Sequence, residues 1–134
     1  AIADYTEAIR LDPDDAVAFN NRGHAYNSKG DYDHAIADCT EAIRLDPNHV
    51  SAFSNRGYAY KGKGDYDHAI ADYTEAIRLA PDNAVAFNNR GYAYKDKGDY
   101  DHAIADYTEA IRLDPDNATY KKALERVIQK LNGR

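Results

Sequence analysis

The sequence predicts an all-α fold, a solenoid of antiparallel helix pairs, and three observations carry that reading. Four prolines, Pro13, Pro47, Pro81 and Pro115, stand 34 residues apart. The stretch GDYDHAIADYTEAIRLAP, from Gly64 to Pro81, recurs almost letter for letter over 30–47 and 98–115, and a truncated copy opens the chain at Ala1. Within each copy apolar residues return at helical spacing, and the segments between helices are very short, so neighbouring helices must run antiparallel. A fixed period of this size marks a stack of like units that bury their apolar faces against one another.

Each element has its own reason. Residues 1–11 read as a helix on Ile2, Tyr5, Ala8 and Ile9, stopped by Asp12-Pro13 because a residue before proline avoids the helical region. A second helix is expected over 16–29, closed by Gly30, a residue type that tolerates a left-handed cap. A third runs over 32–45 with Asp31 as its N-cap. The pattern then repeats over 50–63, 66–79, 84–97 and 100–113. The last helix, 118–131, departs from it: Tyr120, Leu124, Val127, Ile128 and Leu131 form one apolar stripe, and Lys121, Lys122, Glu125, Arg126, Gln129 and Lys130 form the other face. An array needs such a polar end. Glu125 stands where the earlier first helices carry Gly23, Gly57 and Gly91, so no further helix is meant to pack there. One domain, 1–134, is expected, comprising a half repeat (1–15), three repeats (16–49, 50–83 and 84–117) and a capping helix (118–134).

The pattern Phe19, Gly23, Tyr26, Ala35, Cys39, Pro47 returns as Phe53, Gly57, Tyr60, Ala69, Tyr73, Pro81 and as Phe87, Gly91, Tyr94, Ala103, Tyr107, Pro115. It closely resembles the tetratricopeptide repeat. The resemblance covers residues 1 to about 117. It implies a right-handed α-solenoid whose first helices line a concave surface that holds extended peptides. One departure is systematic: Arg22, Arg56 and Arg90 stand where the pattern has leucine before the glycine. A guanidinium at a half-buried seam needs a partner, and carboxylates on the preceding helix, Asp4, Asp38 and Asp72, are the first candidates. The alternative is an arginine that lays its stem on Tyr5, Cys39 or Tyr73 and keeps its head in water. A second departure places His34 at the third helical position, where glutamate would complete a capping box. Protonated histidine there opposes the helix dipole, so stability is expected to fall modestly through about pH 6.5.

Composition narrows the function. The net charge is -6, against a general nucleic-acid binder, which would present a basic face. Five Lys or Arg against one Glu follow Asn117, which leaves about -10 on the rest of the chain. No apolar run approaches a membrane span, so no membrane partner is expected. The single cysteine, Cys39, fits a reducing compartment, and the cytoplasm is favoured. The chain opens in mid-repeat without methionine, which predicts that upstream residues precede it. Residues 50–83 and 84–117 differ at five of 34 positions, the mark of recent duplication or of design.

No nucleophile–base pair and no phosphate-cradling loop is visible, so an enzyme and a cofactor are not expected. Thr40, Thr74 and Thr108 sit mid-helix without a neighbouring histidine. His34 and Asp38, His68 and Asp72, and His102 and Asp106 share a helix face at i, i+4, but a specific metal site needs three or four ligands, so none is assigned. The better candidate is the face left over on each first helix: Val17, Asn20, Asn21, His24, Asn27 and Ser28, then Ser51, Ser54, Asn55, Tyr58, Lys61 and Gly62, then Val85, Asn88, Asn89, Tyr92, Lys95 and Asp96. A column of amides, Asn21, Asn55 and Asn89, carries both donors and acceptors for a peptide backbone. Tyr58, Tyr92 and His24 add flat contact area. The bland reading of these residues is that copied repeats carry copied surfaces whether or not they bind anything. The Lys-and-Asn clamp that holds C-terminal carboxylates in some relatives is not expected, because Asn20 stands in place of its lysine and His24 in place of its asparagine. The partner is therefore expected to be a protein or peptide. Residues 1–11 also lack a first helix, so Ile2, Tyr5, Ala8 and Ile9 form an apolar strip through which a homo-oligomer could form.

Overall fold

Short punctuated segments become eight α-helices in the computed structural model, which describes residues 1–133: α1 (Ile2–Leu11), α2 (Ala16–Ser28), α3 (Tyr32–Leu45), α4 (Val50–Gly62), α5 (Tyr66–Leu79), α6 (Ala84–Lys97), α7 (Tyr100–Leu113) and α8 (Ala118–Asn132). No strand occurs among the described residues. Side-chain caps start seven of them. Asp15, Asp31, Asp65, Asn83, Asp99 and Asn117 each accept a backbone N–H, and His49 does so through its ring at the start of α4. Turns within a pair close through Gly30, Gly64 and Gly98 at φ of 77, 80 and 92 degrees, where a side chain would be strained. The following residue sends its N–H back over the turn, Asp65 to the Tyr60 carbonyl at 2.9 Å. Turns between units are stopped by proline, and the residue before it leaves the helical region at φ of about -140 degrees.

Each helix packs on its chain neighbours, and α2 also touches α4 while α4 touches α6. No comparable contact joins α3 to α5 or α5 to α7 among the described residues. The first helices therefore crowd together and the second helices splay apart. A stack built this way curves, with α2, α4 and α6 on its inner side.

The core is a column of small residues around a few large ones. Ala35, Ala42, Ala69, Ala76, Ala103 and Ala110 are fully buried, and so are Cys39, Tyr73 and Tyr107. The rings fit because glycine faces them. A Cβ on Gly57 would lie 2.9 Å from Tyr73 Cε1, and one on Gly91 the same distance from Tyr107 Cε1. Gly23 meets Cys39 Sγ at 2.7 Å in the same sense. Burial pushes the Cys39 thiol up to about 12, with the Asp38 carboxylate adding to it. At the C-terminal end Val127 is buried against α7 and Tyr120 is buried too, whereas Ile128, expected in the apolar stripe, is 38% exposed. Glu125 is exposed, as its position predicts.

The arginine ladder corrects the expected pairing. Each guanidinium does find a carboxylate, but on the following helix of its own pair rather than on the preceding one. Arg22 donates from Nε and Nη2 to Asp38 at 2.7 and 2.8 Å. Arg56 makes the same fork to Asp72 at 2.8 and 2.8 Å, and Arg90 to Asp106 at 2.8 and 2.7 Å. The preceding helix contributes a hydroxyl instead: Nη1 of the three arginines reaches Thr6, Thr40 and Thr74 at 3.2 Å each. Phe19, Phe53 and Phe87 lie under the guanidiniums. One side chain thus joins three helices. The geometric cause is the glycine contact. Gly23 sits on Cys39, so the residues before each, Arg22 and Asp38, meet beside it. Where Leu124 takes the arginine position, Thr108 keeps only its bond to the Ile104 carbonyl at 2.7 Å, a bond that Thr6 also makes to Ile2, at 2.8 Å, while accepting from Arg22.

The histidines also differ from expectation. His34 Nδ1 lies 2.7 Å from Asp31 Oδ2, and its ring stacks on Tyr26 at 5.0 Å. The arrangement repeats at His68 with Asp65 and at His102 with Asp99. Each ring therefore has a carboxylate at its Nδ1 as well as the helix N-terminus beneath it.

Candidate functional site

Inward curvature brings α2, α4 and α6 around a groove of about 380 Å3 lined by His24, Asn27, Ser28, Ser54, Asn55, Tyr58, Val85 and Asn89. A second hollow of about 330 Å3 adjoins it, lined by Asn20, Asn21, His24, Val50, Ser51, Ser54, Asn55 and Asn83. Eight of the expected residues, Asn20, Asn21, His24, Asn27, Ser54, Asn55, Tyr58 and Asn89, are thus brought together on the inner face. Asn88, Tyr92, Lys61 and Lys95 do not line these two hollows.

Two asparagines play a different part from the one expected. Asn20 and Asn27 are each 7% exposed, held in the seam between α2 and α4. Asn20 Oδ1 accepts from Asn55 Nδ2 at 2.9 Å. Asn27 Nδ2 donates to the Asn55 backbone carbonyl at 2.9 Å, and Asn27 Oδ1 is buried with no partner among the described residues. The reason is the contact of α2 with α4, which a helix-face count on α2 alone cannot show. The amide column is accordingly uneven. Asn55 is partly committed to Asn20, while the half-buried amides of Asn21 and Asn89 make no hydrogen bond among the described residues.

The aromatic part of the face is open. Tyr58 is 44% and Tyr92 41% exposed, against 0% for Tyr73, so these rings are not core. Lys61 lies over both, its Nζ 4.9 Å from the Tyr58 centroid and 4.3 Å from that of Tyr92. Lys95 Nζ stands 4.0 Å from the Tyr92 ring. Tyr32 of α3, which sequence reasoning overlooked, completes the group, 6.4 Å from Tyr58. Its signal was Gly62: a Cβ there would fall 2.5 Å from the Tyr32 ring.

The His–Asp pairs do not form ligand sets. His34 is engaged with Asp31, and Asp38 with Arg22. Among the described residues no three His, Cys, Asp or Glu side chains gather as a metal site would require. Among the described residues no helix is long and apolar enough to cross a membrane.

The model of the tetratricopeptide repeat matches three successive segments, 16–49, 50–83 and 84–117, and a TPR repeat model matches 1–28. This chain belongs to the tetratricopeptide repeat family. Tetratricopeptide repeats are non-catalytic protein-binding modules, and the all-helical stack is theirs. Solved members with the same stack include the first TPR domain of Spaghetti (RPAP3) bound to the HSP90 peptide SRMEEVD. It is 27% identical, with a TM-score of 0.84 over 87% of this chain and 93% of that one. The second TPR domain of human RPAP3, in complex with the HSP70 peptide SGPTIEEVD, is 29% identical, with a TM-score of 0.80 over 84% and 93%. The Arabidopsis OM64 TPR domain is 28% identical, with a TM-score of 0.80 over 84% and 93%. No curated protein sequence matches this tetratricopeptide chain. Its arginine–aspartate fork fills the place that the family pattern gives to leucine. It exchanges an apolar contact for an oriented ion pair in each of the three repeats.

Proposed function

We propose that this chain is a non-catalytic interaction scaffold that binds an extended peptide or partner segment on its inner face. The groove between α2, α4 and α6, with the hollow beside it, carries the reading: together they combine the exposed Tyr58 and His24 rings, the uncommitted amides of Asn89 and Asn21, and room for a backbone. Solved relatives that hold peptides support the class of ligand. The C-terminal carboxylate clamp is not part of the proposal, since Asn20 is tied into the seam with Asn55. In this reading residues 1–134 work as one domain of a half repeat, three repeats and a cap.

Alanine at Asn21, Asn55 and Asn89 together is expected to abolish capture of a peptide selected from a random library, with helical content by circular dichroism unchanged. Because Asn55 also holds Asn20, the double variant Asn21→Ala with Asn89→Ala is the cleaner form and is expected to weaken capture about tenfold. Unchanged capture in both removes the amides from the site.

A second reading, a self-associating module, rests on α1. It buries no residue, and Tyr5, the counterpart of fully buried Tyr73 and Tyr107, is only half-buried. Light scattering at rising concentration separates the readings, and a strictly monomeric chain sinks this one.

A further inference from the structure

The cations of residues 50–98 are paired with one exception. Arg56 has Asp72, Lys63 has Asp33, Arg78 has Glu75, Arg90 has Asp106, Lys95 has Asp96 at 3.6 Å, and Lys97 has Asp67. Lys61 has no carboxylate within ion-pair reach among the described residues, although it is half-buried between Tyr58 and Tyr92. Burial holds its pKa below the ordinary lysine value, with Asp96 opposing this and Lys95 adding to it. A half-buried ammonium beside a second one on the same ring is costly unless an anion comes to it. The first repeat lacks the feature, because the position of Lys61 and Lys95 is filled there by the buried Asn27. A cationic end therefore stands out in the inner face of a chain with net charge -6.

We propose that Lys61 and Lys95, backed by Tyr58 and Tyr92, select partners by an acidic side chain inside an extended peptide lying across α4 and α6. The proposal rests on the inner-face reading above and adds the chemistry of the partner. The groups recognised are side-chain carboxylates, so a free peptide C-terminus is not required. The rings hold each ammonium by cation–π attraction and leave its N–H donors for an oxygen.

The probe is fluorescein-labelled hexaglutamate, acetylated and C-terminally amidated, followed by fluorescence anisotropy at about 20 mM salt, where exposed charges are little screened. Hexaglutamate is expected to bind at least tenfold more tightly than hexaglutamine or hexalysine. Lys61→Gln with Lys95→Gln is expected to weaken it about tenfold, while Lys61→Arg retains it. Lys121→Gln with Lys122→Gln, on the basic face of α8, is expected to leave it unchanged. Absence of binding, indifference to the Lys61 and Lys95 changes, loss in the α8 variant, or a requirement for a free C-terminal carboxylate would each overturn the proposal. A library-selected peptide that loses binding in the Asn21→Ala, Asn89→Ala variant but not in the lysine variant leaves the groove standing and removes only the acidic selectivity. One that ignores the asparagines as well removes the groove.

Discussion

Replacing Arg56 with leucine lowers stability by about 3 kcal/mol, because it leaves the Asp72 carboxylate in the seam without its partner. Asp72 is 8% exposed at its side chain and Arg56 20%, so water compensates little of the loss. The fork also reaches Thr40 and covers Phe53, so one change loosens contacts among α3, α4 and α5. For a chain of this length the melting temperature drops by roughly 10 °C. The double variant Arg56→Leu with Asp72→Leu recovers most of that, since an apolar pair of similar bulk can replace a buried ion pair at little cost. Thermal melts of the wild type, both single variants and the double complete the cycle. A single variant within about 1 kcal/mol of the wild type, or a double no better than either single, contradicts the role given to the fork.

A side chain at Gly57 is the second large effect. Helix propensity alone says that Gly57→Ala stabilises α4 by about 1 kcal/mol. Packing says the reverse. The added Cβ meets Tyr73 at 2.9, 3.1 and 3.1 Å, and Tyr73 is fully buried and has nowhere to retreat. Overpacking of a tight core costs about 1–3 kcal/mol and decides the sign. Gly57→Ala is expected to destabilise by about 1 kcal/mol net, and Gly57→Val, with two further methyls and poorer helix propensity, by about 3 kcal/mol. Urea denaturation reads both, and a Gly57→Ala variant more stable than the wild type would show that propensity outweighs the clash.

How far the sequence could be read depended on the range of the interaction. Helix ends fall within one residue of expectation, because Asp caps, left-handed glycines and prolines act on their own neighbours. The core tyrosines were legible as well, since a period of 34 residues puts each opposite a glycine. The arginines show the limit. Their need for carboxylates could be read, but the choice between Asp38 and Asp72 for Arg56 depends on how α4 is rolled on α5, and the Gly57–Tyr73 contact sets that. The burial of Asn20 and Asn27 was not legible for a related reason. Spacing placed them on the same face as Asn21 and His24, and the contact between α2 and α4 then buried them. Nothing local distinguishes a groove asparagine from a seam asparagine. The Lys61 cluster lies on the same border: the residues were visible on the inner face, but two tyrosines from different repeats converging on one lysine emerge only once the units are stacked.

Hydrogen exchange of the backbone amides, with and without a library-selected peptide, tests the central claim most directly. Slowed exchange confined to α4 and α6, extending to α2 for longer peptides, is the result expected of a ligand held inside the curve. Protection on α3, α5 and α7 instead, or on the α8 face alone, would place the partner elsewhere and contradict the account.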